Sequence, residues 1–145
     1  MSLNFEVSGL DRLNQRLIAM GPRVIQAAGQ ALREEAELIM GDSKQNFVPV
    51  DMGTLRASGH VGKVAHTGGH VEVVMGFGGP AAPYAWRVHE NPRAGKTGGT
   101  SPTGRRYKHW AKVGGWKYLE TPFLAASQQV TAHVAASVRQ ILARP

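Results

Sequence analysis

One stripe of side chains constrains this chain more than anything else in it. Val24, Ala28, Leu32, Ala36, Ile39, Ser43 and Phe47 recur at helical spacing and define one face of a helix of about six turns. Such a helix cannot stand alone in water, so the rest of the chain must supply a surface to cover that face. Pro22 suits the first turn, after Gly21 closes what precedes it, and Val48-Pro49 ends the run. Glu34, Glu35, Glu37 and Lys44 lie mostly off the stripe. A second stripe, Phe123, Ser127, Val130, Val134, Ser137 and Ile141, predicts a C-terminal helix running to about Ala143.

Between the two helices the periodicity shortens. Arg56 to Ala65 and His70 to Phe77 read as strands, joined by the hairpin connection His66-Thr67-Gly68-Gly69. In the second, Val71, Val73, Met75 and Phe77 share a face, with His70, Glu72 and Gly76 on the other. Tyr84, Trp86 and Val88 alternate with Ala85, Arg87 and His89, which predicts a third short strand, and Trp116 to Glu120 a fourth element. At the start, Asn4 to Val7 reads as a strand, and Leu10, Leu13, Leu17 and Met20 as a helix. The expected class is α+β: N-terminal helices, one of them long, then a small antiparallel sheet of about four strands, then a C-terminal helix, in a single domain over residues 1–145.

Charge is concentrated in one place. The net charge is +7, and residues 91–117 hold seven basic residues (Arg93, Lys96, Arg105, Arg106, Lys108, Lys112 and Lys117) and no acid. Six glycines are interspersed among them, so the segment from about 91 to 115 reads as a long loop too polar to bury itself. Gly95-Lys96-Thr97 has the look of the end of a phosphate-binding loop. Spacing excludes that reading: the first glycine of the signature would fall at Glu90, and Gly98, Gly99 and Pro102 prevent a helix after Lys96. Tyr107, Trp110 and Trp116 sit among the basic residues, a composition that suits single-stranded nucleic acid. It equally suits a loop that orders against a protein partner.

Catalytic chemistry finds little support. There is no cysteine, which excludes disulfides and thiolate ligands. His66 and His70 flank a Gly-Gly turn, and His89-Glu90 would point to opposite sides of a strand, so no metal is expected. Ser58 has no assignable base, and no cofactor motif is present. Glu90 and Glu120 each follow an aromatic-rich segment, where the ordinary role is an ion pair with Arg or Lys. No apolar run approaches a membrane span and no signal peptide opens the chain, so a protein made in the cytoplasm, with no membrane partner, is expected.

Three segments, taken in order, carry a resemblance. Pro49-Val50-Asp51-Met52-Gly53-Thr54-Leu55-Arg56-Ala57-Ser58 resembles the Pro-x-Asp-Thr-Gly-x-Leu-x-x-Ser signature of the tail-completion, or head–tail joining, proteins of long-tailed bacteriophages, with Met52 in place of the usual Thr. Tyr84-Ala85-Trp86-Arg87-Val88-His89-Glu90 is similar to that family's Tyr-Ala-x-x-Val-His/Glu-x segment. Lys117 to Phe123, through Pro122, looks like its closing Lys-Phe-Leu-x-x-Pro-Phe segment. The basic loop is longer than the family's minimal form. The resemblance implies a non-catalytic virion protein that assembles with itself into a ring, typically of six copies, in the neck through which the genome passes. It implies as partners a head-completion (stopper) protein and a tail terminator or tail tube protein, with non-specific contact to DNA in the channel. A tail terminator ring, or a stand-alone nucleic-acid-binding protein, are the alternatives. Within the first segment, the residues themselves read as a turn in which Gly53 permits a tight backbone, Asp51 accepts hydrogen bonds from N–H groups two or three residues on, and Leu55 anchors the following strand to the core.

Overall fold

The computed structural model describes residues 2–3, 21–67, 70–95, 104, 111 and 113–143. The fold is α+β, with a long N-terminal helix, small antiparallel sheets and a C-terminal helix. Strand β1 is Ser2–Leu3, and helix α1 runs Pro22–Asp42 with Pro22 in its first turn. A π-helical turn, Ser43–Phe47, continues α1 before the chain straightens at Val48. The short helix α2 spans Thr54–Ala57. Four short strands follow, β2 His60–Val61, β3 Ala65–Thr67, β4 His70–Glu72 and β5 Met75–Gly76. Helix α3 is Ala85–Glu90 and α4 is Glu120–Leu142. Strands β1, β5 and β2 form one sheet in that order, and β3 and β4 form a separate hairpin. All the pairings are antiparallel.

The two long helices meet as the stripes require. Val24, Ala28 and Ala31 of α1 form a cluster with Val134 and Val138 of α4, while further along α1 Ala36, Ile39 and Met40 join Val130 in the main core. The start of α1 therefore lies against the end of α4, and the pair is antiparallel. Alanines on the contact face let the axes approach closely, which suits a pair without large interdigitating side chains. The main core is completed by Phe77, Met75, Val48, Leu55, Ala85, Val88, Tyr118 and Leu119. Among the described residues, no helix is long and apolar enough to cross a membrane.

Several short elements differ from their sequence-based expectations. Residues 56–65 are not one strand: Gly53 turns the chain into α2, His60–Val61 pairs with β5, and Ala65 already belongs to β3, which pairs with β4. Leu55 is buried as expected, but from a helix. The stretch from His70 to Phe77 changes partner midway, β4 pairing with β3 and β5 with β1 and β2, and Gly76 is buried where an outward face was expected. Tyr84 to His89 is helical. Its buried residues are Ala85, Val88 and His89, an i, i+3, i+4 set, while Trp86 faces solvent. Residues 116–119 form a turn that leads directly into α4. A hairpin stands where one was expected, but His66 and Thr67, expected in its connection, belong to strand β3; the connecting glycines lie outside the described residues, as do Asn4 to Val7 and the helix expected over Leu10 to Met20.

Glu35 also departs from expectation. It is 3% exposed, and the ring N–H at Nδ1 of His133 on α4 donates to its Oε1 at 2.6 Å. A buried carboxyl without a donor would carry its full desolvation cost, so this one bond ties the middles of the two long helices together. Replacing His133 with Leu should therefore destabilise the fold by about 2–4 kcal/mol, whereas Leu at both positions should return to within about 1 kcal/mol of the parent. Urea unfolding of the two variants checks this; a double variant no more stable than the single one would contradict it.

Candidate functional site

Two of the three segments that carry the resemblance meet at Tyr118, and Leu55 of the first belongs to the same core cluster. The Tyr118 side chain is fully buried, its hydroxyl donates to the Ala85 carbonyl at 2.7 Å, and its own carbonyl accepts from the Ser43 hydroxyl at 2.6 Å. The ring packs edge-on against Phe77 at 5.1 Å and His89 at 4.9 Å. Burial, with smaller contributions from Tyr84 and Glu90, raises the phenol above its ordinary pKa, so it stays a donor to Ala85 throughout the physiological range. Around it Pro49 and Pro122 are fully buried, Leu55 and Val88 are buried, and Tyr84 and Phe123 pack partly buried against the same core.

Lys117 closes the junction. Its φ is 55°, and it is the one non-glycine with positive φ among the described residues. Such a conformation costs on the order of 1 kcal/mol or more and persists only where the surroundings compel it. Here the Lys117 N–H donates to the His89 carbonyl at 2.8 Å, and its carbonyl accepts from Thr121 N–H at 2.9 Å. The ammonium lies 2.9 Å from Glu90 and 2.8 Å from Glu120. Lys117 thus separates from the basic segment with which its position in sequence groups it: its charge is matched inside the fold. The ion pair expected for Glu90 and Glu120 is this one, with a single lysine serving both. The bonds to Lys117 and then to His89 lower the Glu90 pKa from 4.5, and those to Glu120 and Glu90 raise that of Lys117 from 10.5.

His89 and Glu90, expected to diverge on a strand, are brought together by the helix. The His89 Nδ1–H donates to Glu90 Oε1 at 2.7 Å, and its buried Nε2 has no partner among the described residues. One ligand atom each from His89, Glu90 and Glu120 lie within 4.8 Å of one another, a separation a metal ion could bridge. The lysine ammonium already stands at hydrogen-bond distance from both carboxylates and offsets one of their two charges, so a cation would have to displace it.

The basic segment leaves and rejoins the fold at one place. On the outgoing side Arg93 is exposed, while Ala94 and Gly95 are buried. On the return side the Gly115 N–H donates to the Phe47 carbonyl at 3.0 Å. Gly114 has φ 86°, and a Cβ there would run into the Phe47 carbonyl. The π-helical turn makes this docking possible, because its widened end leaves Phe47 O available to the incoming chain. The two feet also touch each other: a Cβ on Gly95 would stand 2.9 Å from Gly114 O. Lys96, Arg105, Arg106, Tyr107, Lys108, Trp110 and Lys112 lie outside the described residues.

In the first resembling segment, Gly53 has the expected positive φ, 84°. Asp51 is half-buried but makes none of the expected hydrogen bonds among the described residues, and no side chain caps α2. The turn therefore rests on the glycine. A Cβ at position 53 would meet no atom within 4 Å, so a substitution there is penalised by backbone strain alone. Sequence reasoning missed the buried Glu35–His133 bond and the Tyr118–Ala85 bond. No local pattern signals either, since both join residues far apart in the chain.

Gly53→Val should lose about 1–3 kcal/mol of stability and Gly53→Asn much less, as judged by thermal melts of the two variants. The Lys117 ion pairs have a defined pH window. Because the Glu90 pKa is lowered in the fold, its contribution is complete above the unfolded-state value of 4.5 and is lost as pH falls through the folded value. Because the Lys117 pKa is raised, its contribution is complete below 10.5 and is lost as pH rises through the folded value. Comparing stability against pH for the parent and Glu90→Gln should show the acid-side loss reduced in the variant; identical profiles would contradict it.

Comparison of the chain with protein-family models, curated proteins and solved structures finds no match.

Proposed function

We propose that this chain is a structural component of a bacteriophage or prophage virion, a tail-completion subunit that joins copies of itself into a ring in the neck between head and tail. The observation that carries the reading is the meeting of three segments. Pro49–Ser58, Tyr84–Glu90 and Lys117–Phe123 resemble the family's signatures in the family's order; the Tyr118 and Lys117 bonds join the second to the third, and Leu55 of the first lies in the same core cluster. Residues that keep a signature at separated positions while packing together are those a shared fold would hold in common. The basic segment, standing on the paired feet at Gly95 and Gly114, is the natural element to order on assembly, against a neighbouring subunit, an adjacent ring or the DNA in the channel. The partners on this reading are a head-completion protein above the ring and a tail terminator or tail tube below it.

The test is to raise antibodies against the purified chain and apply them to phage particles induced from the strain that encodes it. Label at the head–tail junction, with a small fixed number of copies per particle by quantitative mass spectrometry, is the expected outcome. Label at the end of headless tails would move the assignment to a tail terminator. A chain absent from purified particles would overturn the virion role.

A further inference from the structure

We infer that the indoles of Trp86 and Trp116, with Arg87 and Arg93, form a stacking platform for unpaired nucleobases, so that this chain binds single-stranded nucleic acid in preference to duplex. Tryptophan is normally drawn into a core, and this protein has a core that takes its other large aromatics: Phe77 and Tyr118 are fully buried, and Phe47, Tyr84 and Phe123 pack against them. Its tryptophans behave differently. Trp86 is 52% exposed and Trp116 is 44% exposed. The third, Trp110, falls outside the described residues; Trp110 and Trp116 belong to the stretch in which the net positive charge is concentrated, and Trp86 lies five residues before it.

The two indoles also emerge from one place. Trp86 lies one helical turn before His89 on α3, and Trp116 immediately precedes Lys117. The Lys117 N–H donates to the His89 carbonyl at 2.8 Å, so each tryptophan stands within about one turn of that bond. The rigid junction beneath them fixes their backbones. The guanidinium of Arg87 sits 5.5 Å from the Trp86 ring centroid, a cation–π pair that places a positive charge beside the ring. Exposed Arg93 supplies another at the outgoing foot of the basic segment. Glu90 and Glu120 share the single ammonium of Lys117, which offsets one of their two charges, and Arg87 and Arg93 outweigh the one that remains.

Exposed rings with cations between them match the chemistry of a single strand, whose bases present their faces to stack and whose phosphates take the charges. In a duplex those faces are already stacked on one another, so only the phosphates would remain to be bound. The inference stands apart from the virion reading, since it concerns what the platform binds and not where the protein resides.

The experiment is fluorescence anisotropy of the full-length protein with labelled oligo(dT) of about 20 nucleotides, and with a duplex of equal length, at about 50 mM salt. Oligo(dT) should bind more tightly than the duplex. Trp86→Ala combined with Trp116→Ala should weaken that binding at least about tenfold, since each lost stack removes roughly that factor. Phe at both positions should retain most of it, and the exposed positions make all these variants expected to melt like the parent. Equal affinity for duplex and single strand would overturn the inference. So would Ala variants that bind oligo(dT) like the parent. Absence of binding to either oligonucleotide would overturn it too and leave the indoles to a protein partner.

Discussion

A phenol hydroxyl buried without a partner would cost a few kcal/mol, and the architecture around Tyr118 is arranged so that it is not. Its bond to the Ala85 carbonyl ties the turn before α4 to the first residue of α3, and the Ser43 hydroxyl ties the same residue to the end of α1. The ring fills the space between Phe77, immediately after β5 of the three-stranded sheet, and His89. One residue, through its ring, hydroxyl and carbonyl, therefore ties together the end of α1, α3, the sheet and the turn into α4. The short strands could not do this, because none exceeds three residues and they pair only among themselves.

The strain at Lys117 follows from the same arrangement. The chain must leave Gly115, which is bonded to Phe47, and reach Tyr118 at a fixed position within three residues. A left-handed residue makes the turn short enough. A glycine would do it with less strain but could not supply an ammonium to Glu90 and Glu120. The conformational cost is offset by backbone bonds on both sides and by ion pairs that bridge α3 and α4. The outcome is a firm base at Gly95 and Gly115, where the polar segment leaves and rejoins the fold.

Parts of this were legible residue by residue. Val24 to Phe47 and Phe123 to Ile141 announced their helices because four or more turns of one-sided apolar spacing leave no other way to bury those side chains. Gly53 and Pro22 were legible because each satisfies a backbone requirement that few other residues meet. The pairing of Glu90 with a lysine was legible in kind, though not the choice of Lys117. Tyr84 to His89 was not legible: Tyr84, Trp86 and Val88 alternating with Ala85, Arg87 and His89 over six positions fit a strand and a helix equally well. Glu35 was misplaced because a carboxylate on a helix usually faces water, and its partner His133 is distant in sequence.

The sequence alone determined the α+β class, the two long helices and which of their faces must be covered, and the concentration of the net positive charge in the stretch after Asn91. These are local or compositional properties, which no later contact can alter. Tertiary structure decided the conformation of the short segments, the partner exchange between β4 and β5, the burial of Glu35, the left-handed Lys117 and the outward placing of Trp86. A segment of six residues or fewer has intrinsic preferences worth only a few kcal/mol in total, so the bonds and burial offered by its surroundings outweigh them.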